Sequence, residues 1–243
     1  MSDWTFSDLE EWDNRISKLA KTYNLDWFPI NYEVCDYYEM IGHMSYHGLP
    51  SHYDHWSYGK SFERTHQMYN LGMEGLPYEL IINSNPSIAY LMKENALYLQ
   101  ALIMAHCIGH SDFFKNNKEF KNTKPVSVVA KFRNAKKRIQ GYIEDTNIGI
   151  KKVENLLDAV HAIRFQTEWY DIDRPSHTEL RKKYEILKRD DKSEKYSDFN
   201  IEKFPLEPDF DILKFFIDNC RHMAEWEKDI IEIVRSESRY FIP

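Results

Sequence analysis

From Ala96 to Ile108 the chain reads ALYLQALIMAHCI, with no acid and no lysine or arginine. No other segment limits the possible folds as strongly. The run falls short of the roughly 18 to 20 residues that span a bilayer. It sits inside a longer helical pattern from Ser87 through Phe114, which predicts a central, buried helix. Two histidines, His106 and His110, lie on it four residues apart.

The other elements arrange themselves around that helix. Ser7-Asp8-Leu9-Glu10 reads as a capping box. Leu9, Trp12, Ile16, Leu19 and Tyr23 then recur at helical spacing. A second helix is predicted over Cys35–Tyr46, with Val34, Tyr37, Ile41 and Met44 inward, and Gly48-Leu49-Pro50 ends it. Residues 51–58 (SHYDHWSY) form an aromatic, histidine-rich loop, and a helix over Lys60–Leu71 stops at Gly72. Tyr78–Ile82, between Pro77 and Asn83-Ser84-Asn85-Pro86, is the best strand candidate. Further helices are predicted over 126–143 and 148–170. Residues 171–209, charged and containing Pro175, Pro205 and Pro208, read as a linker or surface excursion, and a helix pair covers 211–240. The expected class is α+β and predominantly α-helical, with a central buried helix and a small β-sheet, forming one domain over 1–243.

Composition narrows the functional classes. Hydrophobic residues make up 42% and aromatic residues 15% of 243 positions, enough for a sizeable core. The net charge of −7 argues against general nucleic-acid binding. The opening MSDWTFSDLEEW carries acids where a secretory signal carries a basic and then an apolar stretch, so the expected location is cytoplasmic. Cys35, Cys107 and Cys220 are odd in number and contain no CxxC, which indicates neither a disulfide frame nor a zinc knuckle.

The histidines carry the chemistry. Residues four apart on a helix project from one face, so His106 and His110 can hold one metal ion, as HExxH does for zinc. The glutamate that serves as general base in that motif is replaced by Cys107. A third ligand is available from Glu154, Asp158 or His161, which share a face of the predicted helix VENLLDAVHAIRF. Two histidines and a carboxylate suit zinc or iron. Glu154 or Asp158, if not a ligand, is the spare base. The competing reading makes His106 and His110 core residues bonded to carbonyls or carboxylates. His43 and His47 sit four apart on one predicted helix, and an ordinary hydrogen-bonded face is their simpler reading. His52 and His55 lie beside Trp56 in a loop, where pocket residues concentrate. Glu94 is a base only if the chain folds back toward it. Cys107 reads as a core residue before a nucleophile. Lys131, Arg133, Lys136, Lys137 and Arg138 read as a solvated face over a buried stripe of Val128, Val129, Phe132, Ala135 and Ile139.

Several stretches resemble the stage V sporulation protein R (SpoVR) family. They are HGLPSHYDHWSYGKSFER (47–64), GLPYELIINSNPSIAYLM (75–92), MAHCIGHSDFFKNN (104–117), VENLLDAVHA (153–162) and EWEKDIIEIVRSESRYF (225–241). The likeness runs from about Leu9 to the end. It implies a role in sporulation, at formation of the spore cortex, and an association with a serine protein kinase system. It assigns no reaction and no catalytic residue. Family members continue past the region matching Tyr240-Phe241 into a Glu-Gly-Trp-Ala segment resembling the third-ligand helix of some zinc peptidases. The resemblance therefore implies a truncated or split member, with the missing C-terminal half as a partner. Two functions remain open: a metal-dependent hydrolase, and a non-catalytic structural or interaction protein.

Overall fold

The computed structural model describes residues 4–49, 51–73, 75–168, 177–190 and 211–240. The chain divides into two compact units, Met1–Leu157 and Asp158–Pro243.

In the first unit, α1 (Phe6–Thr22) begins two residues earlier than the sequence suggested. Its capping box is Thr5 with Asp8: the Thr5 side chain accepts from the Asp8 amide, and the Asp8 carboxylate accepts from Thr5 N–H. Leu9 and Ala20 are buried, whereas Leu19 and Tyr23 are exposed. The next element corrects the sequence reading. Ile30–Cys35 is a strand, β1, and the helix α2 occupies only Tyr37–Ser45, capped by Asp36 and Glu39. Consequently His47 lies beyond α2, at φ 54°, and shares no helix face with His43. Gly48 follows at φ 75°, a left-handed conformation suited to glycine. A Cβ there would lie 2.1 Å from Ile82 Cδ1, so this turn packs directly on the sheet.

Helix α3 (Trp56–Asn70) is followed by β2 (Glu79–Ile82), β3 (Ser87–Met92) and α4 (Leu97–Asn116). The sheet order is β1-β3-β2, with β1 parallel and β2 antiparallel to β3. Ser87–Met92 is thus the central strand, not the first turns of the long helix. Both of its faces are covered. Ala89 and Leu91 join Trp4, Leu9, Ile103, Met104 and Cys107 in a core between the sheet, α1 and α4. On the opposite face the buried Tyr90 ring stacks on His43 of α2, centroids 3.8 Å apart. A strand covered on both sides loses its polar alternation and reads as a plain apolar run.

Helix α4 is amphipathic, which also departs from expectation. Gln100, Ile103, Met104, Cys107, Ile108 and Ser111 are buried, while Tyr98 and Leu102 are 78% and 67% exposed. Its C-terminal half is tied to the segment between α1 and β1. Ser111 Oγ donates to Phe28 O and accepts from Phe28 N, both at 3.1 Å. Asp112 accepts from the Asp26 amide, Asn116 donates to Asp26 O, and Lys115 pairs with the Asp26 carboxylate. Helix α5 (Val128–Glu144) buries Val128, Phe132, Ala135 and Ile139 of its predicted stripe, while Val129 is half-buried.

Helix α6 (Ile150–Ala162) buries Val153, Leu157 and Val160. In the second unit, α7 (His177–Asp190) is a helix inside the stretch expected to be a linker, most of which lies outside the described residues. Helices α8 (Ile212–Asn219) and α9 (Glu225–Tyr240) pack together over Leu213, Ile230, Ile233 and Val234. The N-cap of α8, Asp211, takes two hydrogen-bond-length contacts of 2.8 Å from the Arg235 guanidinium, with side chains 5% and 13% exposed respectively.

Candidate functional site

His106 and His110 stand one turn apart on α4, and their rings converge. The two Nε2 atoms are 2.8 Å apart, a hydrogen bond in which one ring donates and the other accepts. His106 is on the open side of the helix and His110 is half-buried. Burial, and then the adjacent His106, hold the His110 pKa below its ordinary 6.5, with the Glu79 charge opposing them. His110 is therefore neutral at pH 7, the form that ligates a metal.

Glu79 belongs to this group, and the sequence reading did not single it out. It lies on β2, an edge of the three-stranded sheet, directly opposite Leu91. Residues opposite one another in an antiparallel pair share a face, and Leu91 faces α4. Glu79 is therefore delivered to the histidine-bearing helix, with Oε1 3.5 Å from His106 Nε2. The legible signal was a glutamate at a core-facing position of a short apolar strand. Gly109, beside the pair, leaves its surroundings open, because a Cβ there would meet nothing within 4 Å.

The other candidates are placed as follows. Glu154 and His161 are half-buried on α6 and Asp158 is exposed. Among the described residues, no group of three or more His, Cys, Asp or Glu is gathered tightly enough to hold a metal ion. Glu94 is exposed in the turn before α4 and does not lie on that helix. Cys107 is fully buried, and burial pushes its thiol up to about 12, so it is a core residue with no thiolate at neutral pH.

The histidine loop has mainly architectural roles. His52 is buried: its Nδ1 lies 3.0 Å from Tyr53 O and its Nε2 3.3 Å from the Tyr58 hydroxyl. A carbonyl only accepts, so Nδ1 carries the proton. His55 caps α3, its Nδ1 accepting from the Ser57 amide. Trp56 is exposed, with Lys60 Nζ 5.6 Å from its ring centre. A separate pocket of about 540 Å³ opens on the α2 side of the sheet. Glu39, Gly42, His43, Tyr46, His52 and Lys136 line it. His55 and Trp56 are not among its lining residues.

Fold and site together define a predominantly helical α+β protein whose small mixed sheet presents a glutamate to a two-histidine helix. The chain belongs to the SpoVR-like family: the profile described as SpoVR like protein matches residues 3–243. It is also 37% identical, over 262 aligned positions, to the "Uncharacterized protein YcgB" of Escherichia coli (strain K12). That alignment covers 99% of this chain and 50% of the relative, so the chain spans about half the length of the curated relative it matches. No solved structure matches it. Among the described residues, no helix is long and apolar enough to cross a membrane.

Proposed function

We propose that this chain supplies the metal-holding part of a SpoVR-like hydrolase acting on peptidoglycan at spore-cortex formation. His106 and His110 would hold a zinc or iron ion, and Glu79 would take the third-ligand place for which the sequence had offered Glu154, Asp158 or His161. The carrying observation is the convergence of two Nε2 atoms beside an inward-facing strand carboxylate. Nitrogens each about 2.0–2.1 Å from zinc stand roughly 3.3 Å apart in a tetrahedral shell. The rings therefore need to part only slightly from their 2.8 Å hydrogen bond. When bound, such an ion polarises a carbonyl and acidifies a water. His110 contributes a neutral imidazole, and Glu79 holds negative charge beside it.

The donor set is short of a closed site among the described residues, and its surroundings support a reading in which a partner completes it. Tyr78, Tyr98, Leu102 and Phe113 are all more than half exposed around it. Exposed apolar side chains clustered this way mark an interaction surface. The proposed occupant is the other half of a full-length family chain, which brings the remaining ligand; a serine protein kinase system is a further proposed partner of the whole protein.

A non-catalytic interaction protein is the second reading, favoured by the direct His106–His110 hydrogen bond, which satisfies the pair without an ion. Metal content by mass spectrometry separates the two, on this chain and on a full-length relative, with His106→Ala/His110→Ala and Glu79→Gln beside them. The cobalt(II)-loaded protein adds a ligand-field absorption readout. One ion per chain, lost in the double variant and weakened in Glu79→Gln, supports the hydrolase and makes peptidoglycan fragments the substrates to assay. A folded protein and a folded relative that both take up neither zinc, iron nor cobalt overturn it in favour of the interaction protein.

A further inference from the structure

The pocket on the α2 side of the sheet is independent of the histidine pair. Alternation along β3 puts Tyr90 and Leu91 on opposite faces. His43, stacked on Tyr90, is thus across the sheet from Glu79, His106 and His110. Its volume, about 540 Å³, falls within the range of roughly 300–1,000 Å³ usual for small-molecule sites.

Three features of its lining point to a ligand. The first is His43. Neither ring nitrogen has a hydrogen-bond partner among the described residues, although the ring is half-buried and held by its stack on Tyr90. Burial lowers its pKa below 6.5 against the opposing charges of Glu33 and Glu39, so the ring offers one donor and one acceptor at neutral pH. The second is Gly42, in the middle of α2. Glycine in a helix interior costs up to about 1 kcal/mol relative to alanine. No close approach explains it here, because a Cβ would meet nothing within 4 Å. Its effect is to keep the pocket wall open. The third is the charge arrangement. Lys136 from α5 and Glu39 from α2 bring opposite charges to one cavity. Lys136 is only loosely engaged, 3.3 Å from an exposed Asp54, and Glu39 uses one carboxylate oxygen to cap Asp36 N–H.

We infer that this pocket binds the zwitterion of an amino acid or short peptide, its carboxylate at Lys136, its ammonium at Glu39 and its polar backbone against His43.

The test is titration calorimetry of the full chain with alanine, Ala-Ala and Ala-Ala-Ala, and with Ala-Ala capped as the N-acetyl or the C-terminal amide form. The uncapped probes should bind at one site, and each cap should weaken Ala-Ala about tenfold or more, the usual scale for losing a charged hydrogen bond. Lys136→Met should remove the discrimination against the amide, and Glu39→Gln, which keeps an acceptor for the Asp36 amide, the discrimination against the acetyl form. Gly42→Leu should abolish binding while its circular dichroism is unchanged and its melting temperature equal or higher, since leucine is the better helix former. His43→Phe keeps the stack and should weaken all probes alike. The tightest of the three uncapped probes distinguishes a free amino acid from a peptide end. No binding of any uncapped probe up to about 10 mM, equal affinity for capped and uncapped forms, or undiminished binding to folded Gly42→Leu would each overturn the inference.

Discussion

Replacing Ser111 by alanine removes one oxygen from the most connected buried polar position on α4. Ser111 is fully buried. Its hydroxyl has a single proton, given to Phe28 O at 3.1 Å, and its lone pairs take Phe28 N–H at 3.1 Å and face Ser87 Oγ at 3.0 Å. Ser87 can send its own proton to Ser84 O instead, also at 3.1 Å. Ser111→Ala therefore strands two backbone groups, the N–H and C=O of Phe28, while Ser87 stays satisfied. A stranded buried group costs roughly 1–3 kcal/mol, and partial solvent access at Phe28 trims this to about 2–3 kcal/mol for the pair. Ser87→Ala loses a single donor and should cost about 1 kcal/mol. Urea unfolding checks both, read as a lower midpoint at unchanged slope, with hydrogen exchange of the Phe28 amide as the local readout. A Ser111→Ala cost below about 1 kcal/mol, or a Phe28 amide as protected as in wild type, would refute the claim that this hydroxyl anchors the loop to the helix.

Asp211→Ala should destabilise the second unit by about 3 kcal/mol, because it leaves the Arg235 guanidinium buried without its main partner; exchange rates across α8 and α9 report it. Burial alone pushes the Asp211 carboxyl up, but hydrogen bonds from Arg235 and Lys214 hold it below 3.8. Its stabilising contribution should therefore persist down to about that pH and vanish as pH falls through the depressed value. Asp13 is the reverse case: burial raises its pKa above 3.8. Its charged form weakens the fold once pH rises through that window, so Asp13→Asn should raise the melting temperature at pH 7 and have less effect at pH 3. His43 and His110 both titrate below 6.5 when folded. The unfolded chain takes up protons first as pH falls, so stability should drop from pH 7 toward pH 5 and the drop should flatten in a His43→Phe/His110→Phe double variant, measured by denaturant midpoints. Gly48→Ala should be strongly destabilising, since it adds a Cβ at positive φ 2.1 Å from Ile82 Cδ1; a melting temperature within a degree or two of wild type would contradict that packing.

The helices were legible wherever one face was apolar and the other charged, as in α1 and α5. The strands were not, for two different reasons. In β1, Asn31 and Glu33 are exposed while Ile30, Tyr32 and Val34 pack on the core. That is a period of two, present in the sequence but overshadowed by the helix that begins at Tyr37. In β3, SIAYLM is covered on both faces, so no period exists, and a short apolar run next to a helix looks like more helix. The histidines divide similarly. Spacing alone brought His106 and His110 together, because α4 supplies the geometry itself. Glu79 reaches them only through strand register, which depends on where β3 lies. In the stretch Ser111–Asn116, which follows the pair on α4, Ser111, Asp112, Lys115 and Asn116 have a structural role that spacing did not reveal: all bond to the Asp26–Phe28 segment.

The two sides of α4 differ sharply in character. At 100° per residue, Gln100, Ile103, Met104, Cys107, Ile108 and Ser111 fall on one side, and all are buried. Tyr98, Leu102, His106, Gly109 and Phe113 fall on the other, and all are exposed. His110 lies at the border, half-buried, and that burial is the main cause of its lowered pKa. A helix that needed only to fill a core would carry lysine and glutamate on its outer side. This one carries aromatic and aliphatic residues around an imidazole. Substitutions at Tyr98 or Leu102 should therefore leave the stability of this chain nearly unchanged, whereas substitutions at Ile103, Met104 or Ile108 should unfold it without touching the histidine pair directly.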